Sequence, residues 1–202
     1  GDFPERVVTH WGGDGRPNGW MKKAPGLLGT PLISVGVAIL LGWIPRLDPR
    51  LRMESERSER SVVAIGVIRI AVTALMTLGS VLIAANALGY HFDSLRVGLN
   101  VLLLFFAVMG NYMGNIRPNY FIGVRTPWTL ESDSVWRATH RFLGGVWVLG
   151  AALLLALQFT LRQSIAMPIA MGFFIGTSLL AVPYSWWRFQ SGGADRRPPT
   201  AS

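Results

Sequence analysis

Long uninterrupted apolar runs alternate with short polar breaks along this chain. Five runs are long enough to cross about 30 Å of hydrocarbon at a rise of about 1.5 Å per residue: approximately Pro25–Ile44, Val62–Leu88, Leu95–Met113, Phe142–Leu161 and Ile165–Trp187. Their apolar residues are continuous rather than alternating. Only helices or closed barrels satisfy backbone groups in lipid, so the pattern predicts helices. Arg162-Gln163-Ser164 alone joins the fourth run to the fifth, which requires an antiparallel hairpin. The expected fold class is an all-α integral membrane protein, a bundle of five transmembrane helices in this chain.

The polar breaks differ in character. The first, Arg46 to Ser61, mixes arginines with Asp48, Glu54, Glu56 and Glu59. Glu56 and Arg60 have i,i+4 spacing, and the segment reads as a solvated helix entry rather than a binding site. Ahead of the first run, His10-Trp-Gly-Gly-Asp-Gly-Arg-Pro-Asn-Gly-Trp20 is rich in turn formers. Asn18-Gly19 predicts a tight turn with positive φ, and Gly12, Gly13 and Gly15 permit others. Trp11 and Trp20 suit a headgroup zone. Two readings stand for this segment: an ordered cap on the bilayer, or a contact site for an external ligand.

The densest break is Asn119-Tyr-Phe-Ile-Gly-Val-Arg-Thr-Pro-Trp-Thr-Leu130. Pro118 and Pro127 hold the residues before them extended, and Gly123 frees a sharp turn. Ser132-Asp133 then predicts the cap of a short helix through Val135–Arg141. On that helix Trp136 and His140 share a face, and Asp133 and Arg137 form an i,i+4 pair. The expectation is an amphipathic element at the membrane surface that leads into the fourth span. Arg125 and Arg141 are suited to lipid phosphates or to the loop's own carbonyls.

Composition narrows the function classes. Charged residues make up 15% and mean hydropathy is +0.38, against about a quarter charged in a soluble domain. The net charge of +8 is almost wholly arginine. Because the arginines sit between apolar runs, they point to topology and anionic lipid, not to nucleic acid. Twelve basic residues lie in the first loop, the third loop and the carboxyl tail, against six on the other side. That bias predicts residues 114–141 and the C-terminus in the cytoplasm, and residues 1–24 outside. There are no cysteines, which excludes disulfides and thiolate chemistry. His10, His91 and His140 lack metal-ligand spacing, so no metal or cofactor is expected. No nucleophile stands beside a base, and no carboxylates pair, so no catalytic residue is assigned.

Within the spans, Arg69 is read as snorkelling to the near interface. Asn86 and Asn100 are expected to bond between helices. Gly172-Phe-Phe-Ile-Gly176 has the small-xxx-small spacing of close helix packing, read first as packing inside the bundle.

From Gly110 through Asn119–Leu130 to Val135-Trp-Arg-Ala-Thr-His-Arg141, the chain strongly resembles the SdpI family of bacterial membrane immunity proteins. The Thr9–Trp20 segment and the helix after it resemble a domain of unknown function, DUF1648, through His10, Gly15 and an aromatic near position 20. The resemblances imply three regions: 1–60, a DUF1648-like outer loop with the first helix and basic loop; 61–190, an SdpI-like four-helix core; and 191–202, a disordered tail. The family pattern has one more helix ahead of the outer loop, so six spans are expected once a missing upstream helix is counted. It also implies a non-enzymatic immunity or signalling receptor in the bacterial inner membrane. Such a receptor would meet a secreted peptide toxin outside and hold a cytosolic winged-helix repressor inside. The signature residues are Asn119, Tyr120, Phe121, Gly123, Arg125, Thr126, Pro127, Trp128 and Thr129, continued by Trp136, His140 and Arg141. His10, Trp11, Gly15 and Trp20 mark the outer loop. The alternatives are a membrane enzyme or transporter acting on a lipid or small solute, and a scaffold subunit assembled through the Gly172–Gly176 helix.

Overall fold

The computed structural model describes residues 3–51 and 59–192. Two strands come first, β1 (Arg6–Trp11) and β2 (Pro17–Lys22), followed by α1 (Lys23–Leu47), α2 (Glu59–Ala87), α3 (Ser94–Met113), the short α4 (Pro127–Glu131), α5 (Asp133–Leu157) and α6 (Gln163–Ser191). Among the described residues, five helices (α1, α2, α3, α5 and α6) are long and apolar enough to cross a membrane, as the apolar runs predict. Their outward faces carry Leu32, Ile70, Leu104, Leu149 and Leu179, all well exposed. Apolar surface on this scale suits lipid, not water.

The interior is built mainly by α3, α5 and α6. Leu99 and Leu103 of α3 meet Leu143, Trp147 and Ala151 of α5 and Phe174 of α6. Phe106 stacks on Phe174 at 3.8 Å, with Trp147 edge-on at 4.8 Å. The backbones of α3 and α5 come closest at Gly110 and Gly144. A Cβ at Gly110 would stand 2.6 Å from the Gly144 carbonyl oxygen, and one at Gly144 would overlap the Gly110 carbonyl. Apolar side chains gain no hydrophobic advantage by leaving lipid for each other, so close packing of this kind is what holds membrane helices together. By contrast, Gly172 and Gly176 face open space. The expectation that this pair packs inside the bundle is therefore corrected: its face points outward.

The DUF1648-like segment is an antiparallel hairpin of β1 and β2, a small addition to the helical fold. Its turn is Gly12–Arg16, closed by Gly12 N–H to the Arg16 carbonyl (2.8 Å), with Gly15 at φ +78°. Asn18-Gly19, expected to turn, instead lies in β2. There Asn18 bonds His10 across the hairpin, and a Cβ at Gly19 would crowd that of His10. Val7 is buried against Gly26 of α1, and Gly15 lies against Leu95 of α3. The hairpin thus docks on one end of the bundle.

Other differences are local. The fourth span is shifted: α5 runs unbroken from Asp133 and stops at Leu157, capped by Gln158. Asn100 bonds between helices as expected, accepting from Gln158 Nε2 at 2.8 Å. No such bond is made by Asn86 among the described residues, because it sits near the end of α2 where the chain leaves the bundle. Arg69 is exposed, and its Nη1 lies 3.4 Å from where a Cβ on Gly42 of α1 would stand. The tail from residue 193 on, and Glu56 of the Glu56–Arg60 spacing, lie outside the described residues.

A pinned loop between the third and fifth helices

At the end of the bundle opposite the hairpin, residues 114–132 form a loop in which side chains bond many of the backbone polar groups. Asn119 is fully buried and closes the first turn. Its Oδ1 accepts from Phe121 N (2.9 Å) and Ile122 N (2.6 Å), while its Nδ2 donates to the carbonyls of Arg117 (3.0 Å) and Ile122 (3.1 Å). Gly123 follows at φ +109°, where an added Cβ would overlap the imidazole of His140. A left-handed turn and a ring in the way both demand glycine there. His140 Nε2 accepts from Val124 N at 3.0 Å, and its Nδ1 donates to the Trp136 carbonyl at 2.8 Å. Those two bonds define one neutral tautomer.

The second half of the loop is capped by threonines. Thr126 Oγ1 accepts from Thr129 N (3.3 Å), Thr126 N donates to Thr129 Oγ1 (2.8 Å), and Pro127 begins α4. This is a reciprocal cap with proline at the first helical position. Thr129 Oγ1 also reaches the Val124 carbonyl at 2.8 Å. Trp128 Nε1 donates to Ser185 of α6 at 2.7 Å, and its ring meets Trp186 edge-on. Trp136 Nε1 donates to the Ile116 carbonyl at 2.8 Å, and its ring stacks on His140 at 4.1 Å. Arg125 Nη1 donates to the Tyr120 carbonyl at 2.6 Å, so of its two expected roles it takes the backbone one.

The break after α1 turns out to belong to this site. Asp48 is fully buried; its Oδ1 accepts from Arg50 N (2.8 Å) and Leu51 N (3.3 Å), and its Oδ2 from Tyr120 N (2.6 Å). Arg50 Nη1 donates to the Leu130 carbonyl (3.0 Å), and its guanidinium lies 4.7 Å from the Tyr120 ring centroid. The reading of this break as merely solvated is therefore corrected. Asp48-Pro49 is a cap followed by proline, as Thr126-Pro127 is, and that shared pattern was the available signal.

All the signature residues meet at this end: Asn119 to Thr129 in the loop, Trp136 and His140 beneath it, and Arg141 with its stem over Gly114. His10, Trp11, Gly15 and Trp20 lie in the hairpin at the other end. Two expectations fail. Trp136 and His140 do share a face, but they are fully buried pillars of the loop and not parts of a surface helix. Among the described residues Asp133 and Arg137 form no ion pair; α5 is anchored at its start by the Ser132 cap and by Trp136. Apolar and hydrogen-bonding demands of the loop outweigh one exposed charge pair, which contributes little.

The fold and site together define a multi-pass helical membrane protein with an ordered polar loop at one face and a docked hairpin at the other. Over residues 115–185 the chain matches the SdpI/YfhL protein family, and over residues 1–35 the domain of unknown function DUF1648. Both resemblances read from the signature residues hold. The immunity protein SdpI of Bacillus subtilis (strain 168) is 36% identical over 86 residues, which cover 42% of this chain and 40% of that protein. The matched part is thus less than half of the relative's length. No solved structure matches the chain.

Proposed function

We propose that the protein is a non-enzymatic membrane immunity protein of the SdpI kind, protecting its cell against a secreted peptide toxin. In this reading residues 1–60 form the outer and first-helix region, and 61–190 the core. The loop of 114–141 and the C-terminus face the cytoplasm, and residues 1–24 face outward, as the arginine bias favours. The observation that carries the proposal is the pinned loop itself. Tyr120 and Phe121 remain 46% and 42% exposed while their backbone is held by Asp48, Asn119 and Arg125. Rigid aromatic side chains beside guanidinium groups make an economical protein-docking surface, one suited to a cytosolic repressor.

His140 has both ring nitrogens committed to the backbone, which argues against its use as a base in a membrane enzyme. Expression in a toxin-sensitive bacterium tests the proposal. Cells making the wild-type chain are expected to survive the cognate peptide. The Tyr120→Ala, Phe121→Ala double variant should still insert but fail to recruit the repressor. Survival unchanged by the wild-type chain across the toxins encoded beside its relatives would overturn the immunity reading.

A further inference from the structure

Beside the α3–α5 crossing lies an open groove of about 400 Å³, lined by Gly110, Asn111, Gly114, Gly144, Gly145 and Arg141, with Val148 and Leu149 as its far wall. We propose that this groove is a binding site for one anionic phospholipid, its phosphate held by Arg141 and Asn111 and one acyl chain lying along the glycine floor. Four features point to that occupant. Neither the Arg141 nor the Asn111 side chain makes a hydrogen bond or ion pair among the described residues, and both are exposed at the loop end of the groove. The Arg141 stem is held in place, its Cγ 3.0 Å from where a Cβ on Gly114 would stand. From Arg141 to Leu149 the groove climbs eight residues of α5, about 12 Å of helical rise. Leu149 is itself among the most exposed apolar side chains of the bundle, so the groove opens sideways into hydrocarbon and not into water.

The chemistry is complementary at both ends. A guanidinium presents paired donors to phosphate oxygens, and an amide can add a third. Glycines at 110, 114, 144 and 145 remove the side chains that would otherwise close the space between the helices. Gly145 has no atom within 4 Å of an added Cβ, so a bulky residue there enters the groove without disturbing the crossing.

Native mass spectrometry of the detergent-purified protein, titrated with phosphatidylglycerol or phosphatidylcholine of matched chains, tests the site. Phosphatidylglycerol is expected to be retained preferentially. R141Q should lower its retention about fivefold, the loss expected for one arginine at an anionic headgroup. G145F should lower retention of that lipid by blocking the chain's path, with far-ultraviolet circular dichroism unchanged. R137Q, which removes an exposed arginine one turn away, should behave as wild type. Equal retention of the two lipids, equal losses in R137Q and R141Q, or wild-type binding by a folded G145F would each overturn the proposal.

Discussion

At Gly123 the backbone turns at φ +109° with the imidazole of His140 directly against it. Alanine there must either move the ring or abandon the turn. The backbone strain alone is about 1–3 kcal/mol, so Gly123→Ala should lower the thermal midpoint in detergent clearly, by several degrees. Asp48 is a second sensitive point, because one carboxylate satisfies three amides from two segments. Asp48→Ala leaves those donors without their acceptor, at about 1–3 kcal/mol for a buried group. Limited proteolysis should then cut near Tyr120, where the wild-type loop is expected to resist. A variant loop that stays resistant would show that Asp48 does not hold it. Arg125→Ala removes the bond to the Tyr120 carbonyl and should impair function while all five spans remain inserted.

At the scale of elements, α3 and α5 depend on Gly110 and Gly144, whose backbones touch, whereas Gly172 faces outward from α6. Gly144→Val should therefore disrupt the bundle, and Gly172→Val should leave the monomer's melting temperature close to wild type. Melting of the two variants in the same detergent checks the contrast. This pair also shows where sequence reading stops. Gly172-x-x-x-Gly176 is visible as a local spacing, but Gly110 and Gly144 lie in different helices, and nothing in a one-dimensional pattern pairs them. The spans themselves were readable because lipid demands length and continuous apolarity, both local properties. The hairpin was harder, since β1 and β2 are short and its glycines suggested a turn at Asn18-Gly19 that the strands consume. Their i,i+4 spacing puts Trp136 and His140 on one helix face. That the face turns inward depends on the loop folding over it, which periodicity does not express.

Across the whole molecule, the hairpin and the pinned loop occupy opposite ends of a bundle wrapped in exposed leucine, isoleucine and valine. The chain has no cysteine, so single-cysteine probes are free of background. Cysteine at Gly13 should react with an impermeant maleimide on intact cells, and cysteine at Phe121 only after lysis. The reverse pattern would invert the orientation drawn from the arginine bias. The signature residues were recognisable as a group because so many are polar or turn-forming. What joins them, Asp48 from the first break and Ser185 from α6, comes from 72 and 57 residues away along the chain. Such long-range partners are supplied only by the fold.

The ordered loop is the claim on which the functional reading rests, and amide hydrogen exchange in lipid nanodiscs measures it directly. The amides of Tyr120, Ile122 and Val124 each donate to a named side chain, and they are expected to exchange as slowly as amides in the first turns of α5. Exchange at the rate of an unstructured peptide would contradict the account.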